Sequence, residues 1–567
     1  MYKLNIFKFF SAHIGTRLVS LTILSLFVSF VEGIGLLSLS PLIDLILENN
    51  VSEKNYFILT PMLNILGLDN TVISIMSIIL IMFTIKGSLN YLYLAQSAEV
   101  KADLSKKLRN KLISNYISLN FKVSLKTTSG GLSNIITEQV SRVLRAFDFL
   151  SRFYAGILAS IILMGFGLVV SPHFFLFSIL LFLIFGLIYQ NLISKTKNIS
   201  ILATKESKEL AENVIRCSDG IKYLLSTSNL NLVQSSLTKS INKIANLEQD
   251  AGKLAAVSIA IKDPLSITTM MILVFFQLTF FELEASIFVV NLLLMHRLIN
   301  TILQTSSGFQ LMNEFSGSVH KIDSELYSCD HENIDKFIRF KKIPDKFDFD
   351  IELKDVSFSH DKKRKIFKNL DLKIPFGNKV LLTGQSGSGK STILDLITGL
   401  IQPDSGSVIV GGENIKKINI EYWRQQLGVV LQEPTIFSGT LIYNVTLRTS
   451  EELSKEEILK VEKLLLNLGL DQFISKLPYG LNTVISDKGL NMSGGQRQRI
   501  GLAREIFKRP KCLFVDEATS ALDSKNEINV WKVLENLDFP HTLILISHTN
   551  PKSHIKFDHK MDIGSLI

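Results

Sequence analysis

The sequence predicts a helical, membrane-spanning half followed by an α/β half, and three observations carry that prediction. Residues 1–311 hold six apolar runs, at about 18–47, 71–96, 135–170, 174–194, 257–281 and 285–311. Each is near or above the roughly 20 residues that a bilayer requires. Beyond them, a strand-like run, Lys379-Val-Leu-Leu-Thr383, and a helix-like run, Thr392-Ile-Leu-Asp-Leu-Ile-Thr398, bracket a glycine-rich turn. A second apolar strand, Lys511-Cys-Leu-Phe-Val-Asp516, ends in a carboxylate, and Glu517 follows at once.

The glycine-rich turn fixes the chemistry of the second half. Gly384, Gln385, Ser386, Gly387, Ser388, Gly389, Lys390, Ser391 and Thr392 fit the pattern G-x-x-x-x-G-K-[ST]. Glycines let successive backbone N–H groups turn inward and line an anion-sized hollow. The helix that follows aims its positive end at the same point. Lys390 is expected to reach the β- and γ-phosphates of a nucleotide, and the Ser391 hydroxyl to face Mg²⁺. Asp516 suits the Mg²⁺ shell through water, and Glu517 is placed to polarise an attacking water. Upstream, Asn491-Met-Ser-Gly-Gly-Gln496 puts Ser493, Gly494, Gly495 and Gln496 at a helix start, a second anion-binding end. Two half-sites on one chain meet around one nucleotide only if two chains join head to tail.

Length and composition set the frame. With 567 residues the chain suits more than one core. Hydrophobic residues make up 47%, and the mean hydropathy of +0.28 is high for a soluble protein. The formal charge of +9 is concentrated in particular loops, so a nucleic-acid partner is not expected. Cys217, Cys329 and Cys512 show no paired spacing, and Cys512 falls in an apolar strand, where inert packing is the expectation. No metal-ligand cluster is visible. The first apolar run is too long for a signal-peptide core and reads as an anchor; no protease-like domain is expected before it.

In chain order, residues 1–16 are basic and aromatic and suit a short helix lying at the membrane surface. A membrane domain over 17–325, a linker over 326–346 and a nucleotide-binding domain over 347–567 follow, with strand pattern beginning at Phe347. Ser171-Pro172-His173 and Phe281-Glu282-Leu-Glu284 read as tight hairpins between spans. Lys101, Lys106, Lys107, Arg109, Lys111, Lys122 and Lys126 follow the second span, and Lys195, Lys197, Lys205, Lys208, Arg216 and Lys222 follow the fourth. The opposite connections hold Glu48, Glu53, Lys54, Asp69, Glu282 and Glu284. Basic loops stay cytoplasmic, so both termini and the ATP-binding half are expected on the cytoplasmic side of the cell's inner (plasma) membrane. The basic segments keep helical pattern and read as extensions of the spans.

At this point the chain resembles an ATP-binding cassette (ABC) half-transporter of the exporter type, over nearly its whole length. The motifs run in order: the phosphate loop, Gln432 in Val-Val-Leu-Gln-Glu-Pro (the Q-loop), the signature at 492–496, Asp516 and Glu517, the D-loop Ser520-Ala-Leu-Asp523, and His548 after Ile546-Ser547. The resemblance implies a homodimer sandwiching two ATP molecules, with Gln432 sensing Mg²⁺ and water and His548 bonding the γ-phosphate. It also implies that the tips near Ser118–Thr128 and Cys217–Leu225 are short coupling helices. Three positions depart from the pattern. His360 stands where a tyrosine often stacks on adenine, Met492 replaces a leucine, and Asp487 replaces a glutamate.

The substrate is less legible. Glu32, Lys86, Arg297 and Asn300 are polar residues inside apolar runs. One reading makes Lys86 and Arg297 contacts for an anionic head group, with Asn300, Gln304 and Gly308 on the same helical face. The other pairs Glu32 with Lys86 and lets Arg297 snorkel to the interface. The first span is loosely similar to flippases of lipid-linked oligosaccharides. Exporters of small modified peptides, drugs or lipids share the layout, and a non-transporting membrane ATPase acting as a regulator is the reading of a different class.

Overall fold

The computed structural model describes residues 6–47, 63, 69, 71–117, 129–170, 172–280, 285–331, 347–359, 365–385, 387–485, 492–517, 522–547 and 555–563. They form a helical unit with apolar helices and, from residue 347 onward, an α/β unit. This is the architecture expected from the sequence.

The helical unit begins with α1 (Ile6–Ile14) and α2 (Thr16–Leu37). Ile6, Phe9 and Phe10, spaced for one helix face, are buried among Leu104, Val143, Phe147 and Val319. The first expected span breaks at Ser38, and α3 (Leu39–Leu47) follows. The break has a local cause: Pro41 brings no N–H, and its ring crowds the carbonyl four residues back, on Leu37. Next come α4 (Val72–Ile117), α5 (Ser129–Asn134), a π turn over Ile135–Gln139, and α6 (Val140–Val170). Val100, Leu104, Leu108 and Leu112 recur every four residues and are buried, which carries α4 as one rod past its apolar part. The rest is α7 (Pro172–Asp219), α8 (Ile221–Ser226), α9 (Leu230–Ala260), α10 (Lys262–Phe280), α11 (Ala285–Glu314) and α12 (Ser316–His331).

Among the described residues, four stretches are long and apolar enough to cross a membrane: Thr16–Ile46, Val72–Ile117, Gly131–Val170 and Ser286–Glu314. The stretch 174–194 lies within α7, and 257–281 runs over the end of α9 and α10. Large apolar side chains such as Ile73, Leu80, Leu176 and Phe275 stand exposed. In water that would be unfavourable; in hydrocarbon it is the ordinary state. Close helix approach rests on missing side chains. A Cβ on Gly156 of α6 would collide with the Thr305 hydroxyl of α11, and one on Gly33 of α2 with the Phe166 ring of α6.

The α/β unit contains β1 (Ile351–Ser359), β2 (Lys365–Ile374), β3 (Lys379–Thr383), α13 (Lys390–Ile397), β4 (Ser405–Val410), β5 (Glu413–Asn414), α14 (Ile420–Gln425) and β6 (Leu427–Val430). Then come β7 (Gly439–Thr440), α15 (Leu441–Thr446), α16 (Lys455–Asn467), α17 (Asp471–Ile474), β8 (Val484–Ile485), α18 (Gly494–Phe507), β9 (Cys512–Asp516), α19 (Ser524–Glu535), β10 (Thr542–Ile546) and β11 (His559–Asp562). An antiparallel sheet runs β2-β1-β4-β5, and a parallel sheet runs β11-β3-β10-β9-β6. Strand structure begins at Ile351, four residues after the expected Phe347. Phe349 holds a left-handed φ of +58°, and Phe347 packs edge-on against it instead of pairing.

Apolar residues of the parallel strands alternate between two cores. Val380, Leu382, Phe514 and Ile544 join one; Leu381, Leu513, Val515 and Leu543 join the other. A parallel sheet covered on both faces explains why these strands read as unbroken apolar runs. Cys512 lies in this core, and burial pushes its thiol up to about 12, so it is inert packing as expected.

Candidate functional site

Parallel strands bring their carboxyl ends to one edge of the sheet, where such folds bind ligands. Ile546 of β10 is level with both Leu382 of β3 and Asp516 of β9. The phosphate loop leaves β3 at that edge, Glu517 leaves β9, and Gln432 follows β6 after one intervening residue. Residues 40 and more positions apart in sequence are therefore collected by topology alone.

The loop is built as its pattern requires. Gly389 has φ +89°, and a Cβ there would lie 2.5 Å from Phe367 Cζ and 2.7 Å from Ile366 Cγ2. Both conformation and space exclude any side chain. Lys390 is the first residue of α13 and is buried; its ammonium donates to the Gly384 carbonyl at 2.7 Å and the Gln385 carbonyl at 3.0 Å. The loop thus curls around a fixed positive charge. The Ser388 hydroxyl packs over Gly384 and, though buried, has no hydrogen-bond partner among the described residues. An orphaned hydroxyl in such a hollow fits an oxyanion ligand. Ser391 and Thr392 lie in the first turn of α13, and Ser386 lies outside the described residues.

Gln432 Nε2 donates to Glu517 Oε2 at 2.9 Å. Glu517 holds φ +48°, a left-handed conformation that costs a non-glycine residue about 1–2 kcal/mol. Its N–H donates to the Ile546 carbonyl at 3.1 Å, which ties that turn to the neighbouring strand. The chain therefore holds the Glu517 carboxylate in one place at an energetic cost, as functional positions commonly do. Asp516 ends β9 beside it. The donor set of Ser391, Gln432 and Asp516 is hard oxygen with a single carboxylate, which fits Mg²⁺ completed by phosphate and water. Among the described residues there is no cluster of three or more His, Cys, Asp or Glu that would form an all-protein cage. His548 and His360 lie outside the described residues.

The signature stretch opens α18. Ser493 is its N-cap: its Oγ accepts from the Gln496 N–H at 3.2 Å, and the Gln496 amide oxygen accepts from the Ser493 N–H at 2.8 Å. This reciprocal box uses one lone pair of the hydroxyl and leaves its proton to donate outward. Gly494 and Gly495 follow in the first turn. Asp523 caps α19 in the same way, accepting from the Asn526 N–H at 3.4 Å and its Nδ2 at 2.5 Å.

Four residues that carried no sequence signal wire these parts together. Gln498 of α18 donates to the Gln432 carbonyl at 3.3 Å. Arg504 donates to the carbonyls of Asn444 at 2.7 Å and Thr435 at 2.9 Å. Asn444, fully buried, closes the loop after Gln432 through the Phe437 N–H (2.8 Å) and the Phe437 and Thr440 carbonyls. Arg499 bonds the Gly495, Leu468 and Gly469 carbonyls and the Asn526 side chain, so it joins the start of α18 to the start of α19. Burial pulls both guanidinium groups below their usual pKa, yet each remains a cation. A glutamine–arginine pair at 498 and 504 thus couples the signature helix to the Q-loop.

In the helical unit, Glu32 is buried and pairs with Lys86 at 3.0 Å and with Arg297. Asn300 turns to His296, one helical turn back, at 3.0 Å. A cavity of about 440 Å³ opens between α2, α4, α6 and α11, and Arg297 lines it together with Thr301, Gln304 and Gly308. Arg152 of α6, which the sequence reading did not single out, lines it too.

Comparisons with known proteins agree with this geometry. The ABC transporter family model matches residues 367–520. An uncharacterized ABC transporter ATP-binding protein, y4gM of Sinorhizobium fredii, is 41% identical over 199 residues, 35% of this chain and 33% of that protein. ABC transporter B family member 2 of Dictyostelium discoideum is 42% identical over 200 residues, 35% of this chain and 14% of that protein. The matched part therefore spans a third or less of these relatives. A solved bacterial Atm1-family ABC exporter with ATP bound superposes with a TM-score of 0.74 over 94% of this chain and 91% of its own, at 18% identity. That likeness extends the agreement in fold to the helical unit.

Proposed function

We propose that this chain, an ABC half-transporter of exporter type, pairs with a second copy of itself. ATP binding and hydrolysis then move an amphipathic substrate across the cell's inner membrane or between its leaflets. The observation that carries the reading is the Gln432–Glu517 hydrogen bond at the strand ends beside the phosphate loop. It provides a fixed general base where a γ-phosphate and its attacking water would sit.

The residues supply the steps. The phosphate loop and Lys390 hold the β- and γ-phosphates and keep them oriented. The Gln432 amide and the Glu517 carboxylate position the attacking water, and Glu517 takes its proton. His548 bonds the γ-phosphate. Ser391, Asp516 and Gln432 would hold Mg²⁺, which supplies charge neutralisation on the phosphates. Ser493 and Gly495 of one copy, at the positive end of α18, close over the γ-phosphate bound to the other. Loss of that phosphate removes the bridge and the pair separates. ATP drives transport only through its preference for the joined state. The basic segments after the second and fourth spans support a cytoplasmic nucleotide-binding unit.

The test is ATP hydrolysis by the full chain in liposomes, with candidate substrates added. Stimulation by an amphiphile supports export, and a rate indifferent to every amphiphile would favour a regulator. Lys390→Ala should lose nucleotide affinity by roughly 100-fold or more, since it deletes a buried charge-assisted contact. Unchanged nucleotide affinity there removes the phosphate-loop role.

A further inference from the structure

The cavity between α2, α4, α6 and α11 carries an unbalanced charge. Its charged wall residues are Arg152 and Arg297, both cations. Behind the wall, the single carboxylate of Glu32 serves Lys86 and Arg297 together. Arg152 has no carboxylate partner among the described residues; its guanidinium lies 6.0 Å from the centre of the Phe149 ring. Two cations share one anion and a third has none, so the site has a surplus of about two positive charges within apolar spans, where charge is unfavourable unless compensated. The remaining wall is rich in small polar groups, with Ser25 and Ser29 on α2, Asn90 on α4 and Gln304 on α11. On α6, Arg152 is followed at helical spacing by Gly156, against which Thr305 packs, and by the small Ala159.

We infer that this cavity takes the phosphate group of an anionic amphiphile, with Arg152 as its principal contact and Arg297 as its second. A dianionic phosphate matches the surplus charge, and a guanidinium fork matches two phosphate oxygens at once. The Asn90 and Gln304 amides serve the remaining oxygens, while the Ser25 and Ser29 hydroxyls, whose protons go to the Thr22 and Ser25 carbonyls, can accept from adjoining hydroxyls. A cationic amphiphile meets uncompensated positive charge and is rejected. Arg297 is shared with Glu32, so it yields only part of its charge to a ligand; Arg152 is wholly available. This deepens the export reading and rests on it.

The test measures binding separately from hydrolysis. The full chain in phosphatidylcholine nanodiscs is titrated with dodecyl phosphate, dodecyltrimethylammonium and inorganic phosphate, and ATP hydrolysis is followed in parallel. Dodecyl phosphate should bind while dodecyltrimethylammonium does not. Arg152→Gln should weaken dodecyl phosphate by roughly tenfold, and Arg152→Lys, which keeps charge but loses the fork, by less. An unchanged melting profile shows that each variant is folded. Equal binding of the cationic amphiphile, or equal affinity in Arg152→Gln, overturns the inference. Inorganic phosphate binding as tightly as dodecyl phosphate overturns the amphiphile and assigns the site to a free phosphorylated solute. Selective binding without any ATP hydrolysis leaves the anion site standing and overturns the export reading alone.

Discussion

Polar side chains are used in opposite ways in the two units. In the α/β unit they are displayed from a rigid frame. Glu517 sits past the end of a buried strand, Ser388 keeps an orphaned hydroxyl, and Ser493 keeps a donatable proton after capping its helix. In the helical unit, with Arg152 as the exception, they satisfy one another: Glu32 holds Lys86 and Arg297, and Asn300 holds His296. The difference follows from the surroundings. An apolar sheet core fixes strand ends without help, so the residues beyond are free for chemistry. Hydrocarbon offers no partner, so a charge there must find one within the protein or in a ligand. Deleting a displayed group should therefore remove function and leave stability, and deleting a paired group should do the reverse.

Glu517→Gln is the strongest way to break that comparison. The amide keeps the size and can still meet Gln432, but it cannot take a proton. ATP turnover should fall on the order of 10³-fold, while ATP binding and melting temperature stay put and the ATP-loaded dimer accumulates. Turnover within a few-fold of the parent removes Glu517 as the base. A large drop in melting temperature would mean that its φ of +48° is held by the carboxylate itself and not by the strand beside it.

Glu32→Gln is the complementary case. It leaves Lys86 and Arg297 without their shared anion, and breaking a buried pair by removing one partner costs about 3 kcal/mol. The helical unit should melt roughly 5–10 °C lower, with nucleotide affinity unchanged. Adding Lys86→Met to the same chain lowers the positive surplus again and should recover part of the loss. A melting temperature that does not move would place Glu32 among the displayed groups, open to a substrate.

The same contrast explains what was legible in the sequence. The phosphate loop was readable because its geometry admits only glycine at Gly389 and needs Lys390 next, which leaves a fixed local pattern. The break at Ser38 was also written locally, in Pro41, although the apolar run hid it. Gln498, Arg499, Arg504 and Asn444 were not readable. The partners of Gln498, Arg499 and Arg504 are mostly backbone carbonyls 30 to 69 residues away, those of Asn444 are backbone groups of Phe437 and Thr440, and a backbone group carries no residue identity. Arg152 sits inside a run that hydropathy alone counts as span, and only the packing of four helices shows that it borders a cavity.

The smallest expected effect concerns a paired group outside the nucleotide site. Glu457 caps the start of α16: its carboxylate accepts from the Ser454 N–H at 2.9 Å and from Arg448 at 2.7 Å. Those bonds, that to the Ser454 backbone first, hold its carboxyl down at about 2. A depressed folded-state pKa adds stability above the unfolded value, near 4.5, and that stability is lost as pH falls toward 2. Glu457→Gln should therefore lower the stability of the α/β unit at neutral pH and converge with the parent in acid. The readout is specific, because both tryptophans of the chain, Trp423 and Trp531, are buried in that unit. Unfolding followed by their fluorescence reports on it and not on the helical unit. Because the carboxylate is exposed, salt should shrink the difference. A gap between the two proteins that persists unchanged below pH 2 would show that the loss came from helix packing and not from the charge.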